Sequence, residues 1–211
     1  MPPRKKSEAP SKSSDRDQLR DLLFRESFRC SDRAVFKLTS GQMSRYYVDC
    51  KKVTLDPKGA ALIGRLVFER IKPLHPQGVG GLTLGADPIA VAVALTSHLE
   101  GQPVPAFIIR KEPKGHGSRA WIEGNLPEGA GVVVVEDVVT TGGSTLKAIE
   151  RLKAHGCKIL KVVALVDRQE GGREKIEASG YLLESLFTVD DLLVLAGASR
   201  SSSEPTGQPL I

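Results

Sequence analysis

The sequence predicts an α/β fold: a mostly parallel sheet flanked by helices, with a small N-terminal hood. Three observations predict it. Short apolar runs alternate with segments of helical spacing from Asp56 onward. The apolar run at 132–135 leads into a glycine-rich turn and then a helical pattern. Residues 34–54 carry only short strand-like runs, at 35–38 and 46–49, which suit a hood.

Taken in order, residues 1–17 and 197–211 are expected to be disordered tails around a domain at 18–196, because proline, lysine and serine dominate the ends. Ser14 and Asp17 have capping-box spacing, opening a helix with Leu19, Leu22 and Leu23 on one face. Tyr46 and Tyr47 in the hood can cover a flat ligand or simply pack a strand. Asp56-Pro57 starts a helix that carries Ile63, Leu66, Val67 and Ile71 and stops near Pro73. A strand at 79–82, a helix at 88–99 and a strand at 106–109 follow. A return strand near Trp121 precedes the strand at 132–135. The helix at 145–155 stops at Gly156, and a strand at 159–166 comes next. Helices at 172–179 and 190–195 complete the core, the second capped by Asp190-Asp191.

The bulk numbers exclude several classes. A chain of 211 residues suits one domain with a sizeable core. Apolar content of 40% and charged content of 26% are those of a soluble globular protein. The net charge of +5 invites a nucleic-acid reading, but the cations are dispersed and aromatic residues make up only 5%, so base-stacking platforms are not expected. Three widely spaced cysteines without a Cys-x-x-Cys argue against disulfides and structural zinc and fit a reducing cytoplasm. The most apolar stretch, 79–99, contains Asp87, Pro88 and His98, so no membrane span is expected.

The chemistry concentrates at 132–144. Four valines lead into Glu136 and Asp137, then Val138, Val139, Thr140, Thr141, Gly142, Gly143 and Ser144. The first N–H groups of the following helix have no intrahelical partner, and its dipole favours a phosphate. Carboxylates repel phosphate but accept hydrogen bonds from hydroxyls. Phosphate at one end and vicinal hydroxyls at the other describe a ribose 5-phosphate. No lysine of a Walker loop stands here, and the Gly-x-Gly-x-x-Gly of a dinucleotide site is absent. A second block, Arg110, Lys111, Lys114 and His116 among Pro113, Gly115 and Gly117, gathers cations on a loop that can close over a polyanion. A third, Asp167-Arg168-Gln169-Glu170, ends the strand at 159–166.

The 132–144 segment resembles the phosphoribosyl-pyrophosphate (PRPP) motif of the type I phosphoribosyltransferases. The Arg-Lys-Glu-x-Lys-x-His-Gly pattern is similar to the catalytic loop of the orotate phosphoribosyltransferase family, and the resemblance spans about Leu19 to Leu195. It implies that Arg110, Lys111, Lys114, His116, Glu136, Asp137, Val138, Val139, Thr140, Thr141, Gly142, Gly143 and Ser144 bind PRPP. It implies that Lys111, Lys114, His116 and Asp137 are catalytic, and that Thr140 and Arg168 bind orotate, a guanidinium being suited to a carboxylate. It also implies Mg²⁺ carried by PRPP rather than held by a protein cage, and a homodimer whose loop serves the neighbouring site. The chain departs from the pattern at Thr39, where relatives often carry lysine and where Lys37 sits two residues earlier, and in the lysine-free segment 81–89. Two alternatives stand beside this reading. A phosphoribosyltransferase for another base is disfavoured by the basic loop and the Asp-Arg-Gln block. A PRPP-sensing regulator would need a nucleic-acid-binding module, which the short tail does not offer.

Overall fold

The structure is a computed structural model that describes residues 13–37, 43–113 and 121–202. Its centre is a six-stranded sheet of β5 (Gly78–Leu82), β6 (Ala106–Ile109), β7 (Ile122–Glu123), β8 (Gly131–Val139), β9 (Lys158–Asp167) and β10 (Leu183–Thr188). The strand order is β10-β9-β8-β5-β6-β7, parallel except for β7, which runs antiparallel to β6. Between β5 and β8 the order reverses direction, and ligands of open parallel sheets bind at such reversals, beyond the strands' carboxyl ends.

Alternation along the strands sorts the core into two layers. Val133, Val135, Val163 and Leu165 face α1 (Asp15–Leu22), α3 (Pro57–Ile71) and α4 (Asp87–Leu99). Val132, Val134, Val162 and Ala164 face α5 (Gly143–Ala154) and α6 (Gly172–Ala178). Each valine buried this way contributes roughly 1.5 kcal/mol or more relative to exposure. The hood joins the first layer. It pairs β1 (Phe28–Cys30) with β4 (Tyr46–Val48) and β2 (Phe36–Lys37) with β3 (Met43–Ser44), and the short α2 (Lys51–Thr54) links it to α3.

Several expectations need adjustment. The domain begins inside the expected 1–17 tail, because Ser14 Oγ accepts from the Asp17 amide at 3.1 Å and donates to Asp17 Oδ2 at 2.6 Å, which opens α1 at Asp15. At the other end α7 (Val189–Ser202) runs past residue 196, since an established helix gains one backbone bond per added residue. Its start is a reciprocal cap: the Asp191 carboxylate accepts from the Thr188 amide at 2.8 Å, and the Asp191 amide donates back to Thr188 Oγ1. Strand β8 does not stop before the carboxylates but runs through them to Val139. Strands β1 and β10 were not expected at all. Strand β10 is an edge strand whose Glu184 pairs with Lys161 and Arg70, so its polar residues interrupt the apolar run that would reveal it.

Candidate active site

The phosphate-type turn forms as its residues dictate. Gly142 is the N-cap of α5 with φ of 74°, a left-handed conformation that glycine adopts freely. Among the described residues no side chain caps this helix, so its first N–H groups suit an anion. Thr141 and Ser144 are exposed around them.

The two carboxylates diverge. Consecutive strand residues point to opposite faces. Asp137 lies on the hood face and Glu136 on the α5 face. Glu136 is 5% exposed, and its Oε2 accepts from Thr145 Oγ1 at 3.3 Å. Burial pushes its carboxyl up to about 7, the Asp137 charge pushes the same way, and hydrogen bonds from Ser144 and Thr145 oppose. Asp137 borders the main cavity, and its Oδ1 accepts from the Val138 amide at 2.9 Å. Gly85 packs so closely beneath Asp137 that any side chain there would collide with the carboxylate. At position 85 only backbone fits against Asp137.

That cavity measures about 740 Å³, a size suited to a nucleotide-like ligand. Asp137, Val138, Thr140 and Thr141 form one part of its wall, and Lys37, Tyr47, Val48, Lys51, Arg168 and Glu170 the rest. Arg168 is 4% exposed although it is charged. One nitrogen, Nη2, donates to Glu170 Oε1 at 2.7 Å and to Ser44 Oγ at 3.3 Å. Its guanidinium lies over the Tyr46 ring, and its Nε is buried without a partner among the described residues. A buried donor left unpaired is costly, so this nitrogen is suited to an acceptor supplied by a ligand.

The basic loop is only partly described. Lys114 and His116 lie outside the described residues. Arg110 Nη1 pairs with Glu123 Oε1 at 3.1 Å, and Lys111 is exposed. Neither borders the main cavity. Lys111 borders a smaller cleft of about 280 Å³ with Leu82, Ser144, Lys147 and Arg151. Among the predicted residues the fold thus gathers Asp137, Val138, Thr140, Thr141 and Arg168 at the cavity. Glu136 and Ser144 lie behind or beside it, and Arg110 and Lys111 stand apart from it within one chain.

Sequence reasoning missed Lys51 and Glu170 as cavity residues. Lys51 Nζ pairs with Asp49 Oδ1 at 2.8 Å, and that hydrogen bond raises its pKa, with Asp137 adding to the effect. The only local signal was position: Lys51 follows a hood strand directly, and Glu170 follows the strand-end arginine.

These features define a class: a parallel-sheet protein with a phosphate turn at a strand end, a carboxylate beside it and a hood over the cavity. Residues 57–185 match the phosphoribosyl transferase domain family. The chain is 50% identical over 179 residues to an orotate phosphoribosyltransferase of Aquifex aeolicus, covering 85% of this chain and 98% of that one. It is 52% identical over 181 residues to an orotate phosphoribosyltransferase of Nostoc, covering 85% and 86% respectively. It also superposes on a Mycobacterium tuberculosis orotate phosphoribosyltransferase crystallised with PRPP, with a TM-score of 0.70, 38% identity, and coverage of 85% of this chain and 99% of that one. The chain belongs to the orotate phosphoribosyltransferase family, within the phosphoribosyl transferase domain proteins.

Proposed function

We propose that the protein transfers the ribose 5-phosphate of PRPP to orotate, giving orotidine 5′-monophosphate and pyrophosphate in pyrimidine (UMP) biosynthesis. One observation carries this reading. A single cavity is lined by the phosphate turn at Thr140-Thr141, by Asp137 and by Arg168, whose buried Nε has no partner among the described residues. Those three match a phosphate, ribose hydroxyls and the carboxylate of orotate.

In the reaction the bond from ribose C1 to pyrophosphate breaks and its electron pair leaves with the pyrophosphate. A bond from C1 to the orotate nitrogen forms as the N–H bond of that nitrogen breaks, and the proton it releases balances the one passed to the pyrophosphate. The turn from Thr140 to Ser144 holds the 5-phosphate through backbone N–H groups and hydroxyls. Asp137 accepts from a ribose hydroxyl, and its charge balances the positive charge developing on the sugar. Glu136 contributes from the opposite face by holding Thr145 at the start of α5. Arg168, with Thr140, selects orotate. Arg110, Lys111, Lys114 and His116 bind the leaving pyrophosphate, and one of them passes a proton to it.

Among the described residues no three His, Cys, Asp or Glu side chains converge to hold a metal. Mg²⁺ would arrive on the phosphate oxygens of PRPP, because magnesium prefers phosphate oxygens and water to a full protein cage, and Asp137 would be the carboxylate beside it. When bound, the ion neutralises charge on the leaving pyrophosphate. We infer a homodimer, because Arg110 and Lys111 do not border the cavity of their own chain and a second copy can receive them. We place the protein in the cytoplasm on its three free cysteines. No helix among the described residues is long and apolar enough to cross a membrane.

The test is orotate consumption by purified protein with PRPP and Mg²⁺, followed by ultraviolet absorbance, with other nucleobases in parallel. PRPP-dependent loss of the orotate signal is the expected result. Turnover of another base alone, or PRPP binding without turnover, would remove the assignment.

A further inference from the structure

Arg151 sits on α5, two turns beyond the phosphate turn, and none of the roles above uses it. Its guanidinium makes three contacts at the base of the basic loop. Nη1 donates to the carbonyl of Arg110, and Nη2 donates to the carbonyl of Lys111 at 3.0 Å. Its flat face lies over the Trp121 ring, 4.0 Å from the centroid. Trp121 in turn closes the loop stem, its carbonyl accepting from the Arg110 amide at 2.9 Å. One side chain therefore grips both strands of the stem from which the loop cations emerge. An arginine suits this task and a lysine does not. Two neighbouring carbonyls need donors that diverge from a rigid plane, and the same plane stacks on an indole.

We propose that Arg151 is a positioning residue that fixes the backbone of Arg110 and Lys111 against the helix carrying the phosphate turn. This rests on the reading of PRPP as substrate. Its consequence is specific. The pyrophosphate end of PRPP depends on where Arg110 and Lys111 leave the sheet, in whichever subunit they act. The 5-phosphate end depends only on the start of α5. Losing Arg151 therefore weakens ligands that carry pyrophosphate and spares those that do not.

The experiment uses the full chain with Arg151→Ala, Arg151→Lys and Trp121→Phe, and PRPP and ribose 5-phosphate as probes. Affinities come from calorimetry, and kcat and KM from orotate consumption. Arg151→Ala and Arg151→Lys are expected to weaken PRPP about tenfold and lower kcat, with ribose 5-phosphate affinity unchanged within about twofold. Trp121→Phe keeps an aromatic face and should stay near the parent. Full recovery by Arg151→Lys would overturn the proposal, since charge alone would then suffice. So would equal weakening of both ligands, which marks a general structural role, or an unchanged Arg151→Ala. If Arg151→Ala does not fold, Arg151→Lys decides alone. A parent protein that binds ribose 5-phosphate but neither binds PRPP nor consumes orotate would instead refute the proposed function, and the inference would fall with it.

Discussion

The Arg168 guanidinium lies over the ring of Tyr46, 5.0 Å from its centroid, while the Tyr46 hydroxyl donates to the Arg168 carbonyl at 3.4 Å. The hood and the end of β9 thus hold one another through a charged group and an aromatic face. The same side chain is paired to Glu170 through Nη2 alone, which leaves Nε for a ligand. Burial of Tyr46 raises its phenol pKa, and the Glu170 charge acts in the same sense. The tyrosine therefore remains a neutral donor throughout the physiological range.

Arg168→Lys should raise the KM for orotate by roughly 10–100-fold, since a lysine retains charge but not the planar fork. The KM for PRPP should change little. Steady-state kinetics with each substrate varied in turn distinguish the two. An equal rise in both values would remove Arg168 from the base end of the cavity. Tyr46→Phe keeps the ring and should cost far less than Tyr46→Ala.

Asp137→Asn should lower kcat by about 10²–10³, the usual cost of losing one electrostatic contact to a charge-developing centre. The side chain keeps its shape above Gly85, so the fold should survive, which circular dichroism and melting would check. Near-parent kcat in a folded variant would show that Asp137 does not face the sugar.

The contrast between these carboxylates shows what the sequence could and could not reveal. The phosphate turn was legible because strand, glycines and helix start are local, and so were most sheet strands. The diverging directions of Glu136 and Asp137 were hidden, because the strand was expected to stop at residue 135. Once β8 continues through both, alternation alone separates them. The cavity wall opposite the turn was largely illegible for another reason. The family resemblance points to Arg168 and the hood pattern to Tyr47 as a cover, but Lys37 comes from the hood, Lys51 from α2, and Glu170 from beyond the end of β9 more than a hundred residues later. Only tertiary packing brings them together, and no spacing rule records that.

Glu136 makes stability depend on pH in a predictable direction. Its folded pKa, about 7, lies above the ordinary glutamate value of 4.5. The folded state therefore favours the protonated form. That contribution is complete below pH 4.5 and is lost as pH rises through 7. Glu136→Gln cannot ionise and escapes this loss. Without ligand, the variant should gain on the parent by roughly 1–3 kcal/mol between pH 4 and pH 8. Urea unfolding at both pH values measures the difference. A constant gap would mean that Glu136 titrates alike in the folded and unfolded chains.

Gly142→Ala tests the turn itself. At φ of 74° an alanine is strained, and its Cβ would also stand 3.0 Å from the Gly172 carbonyl oxygen and 3.2 Å from Ile176 Cγ1. Backbone strain and this crowding together should destabilise the fold by about 1–3 kcal/mol. The turn can relieve the clash only by moving away from α6, which tilts the open N–H groups at the start of α5. Ribose 5-phosphate should then bind about tenfold more weakly, while the buried Nε of Arg168 stays in place. Chemical unfolding and calorimetry on the same preparation read the two effects separately. Weaker folding with unchanged ribose 5-phosphate affinity would mean that the phosphate is not held by this turn.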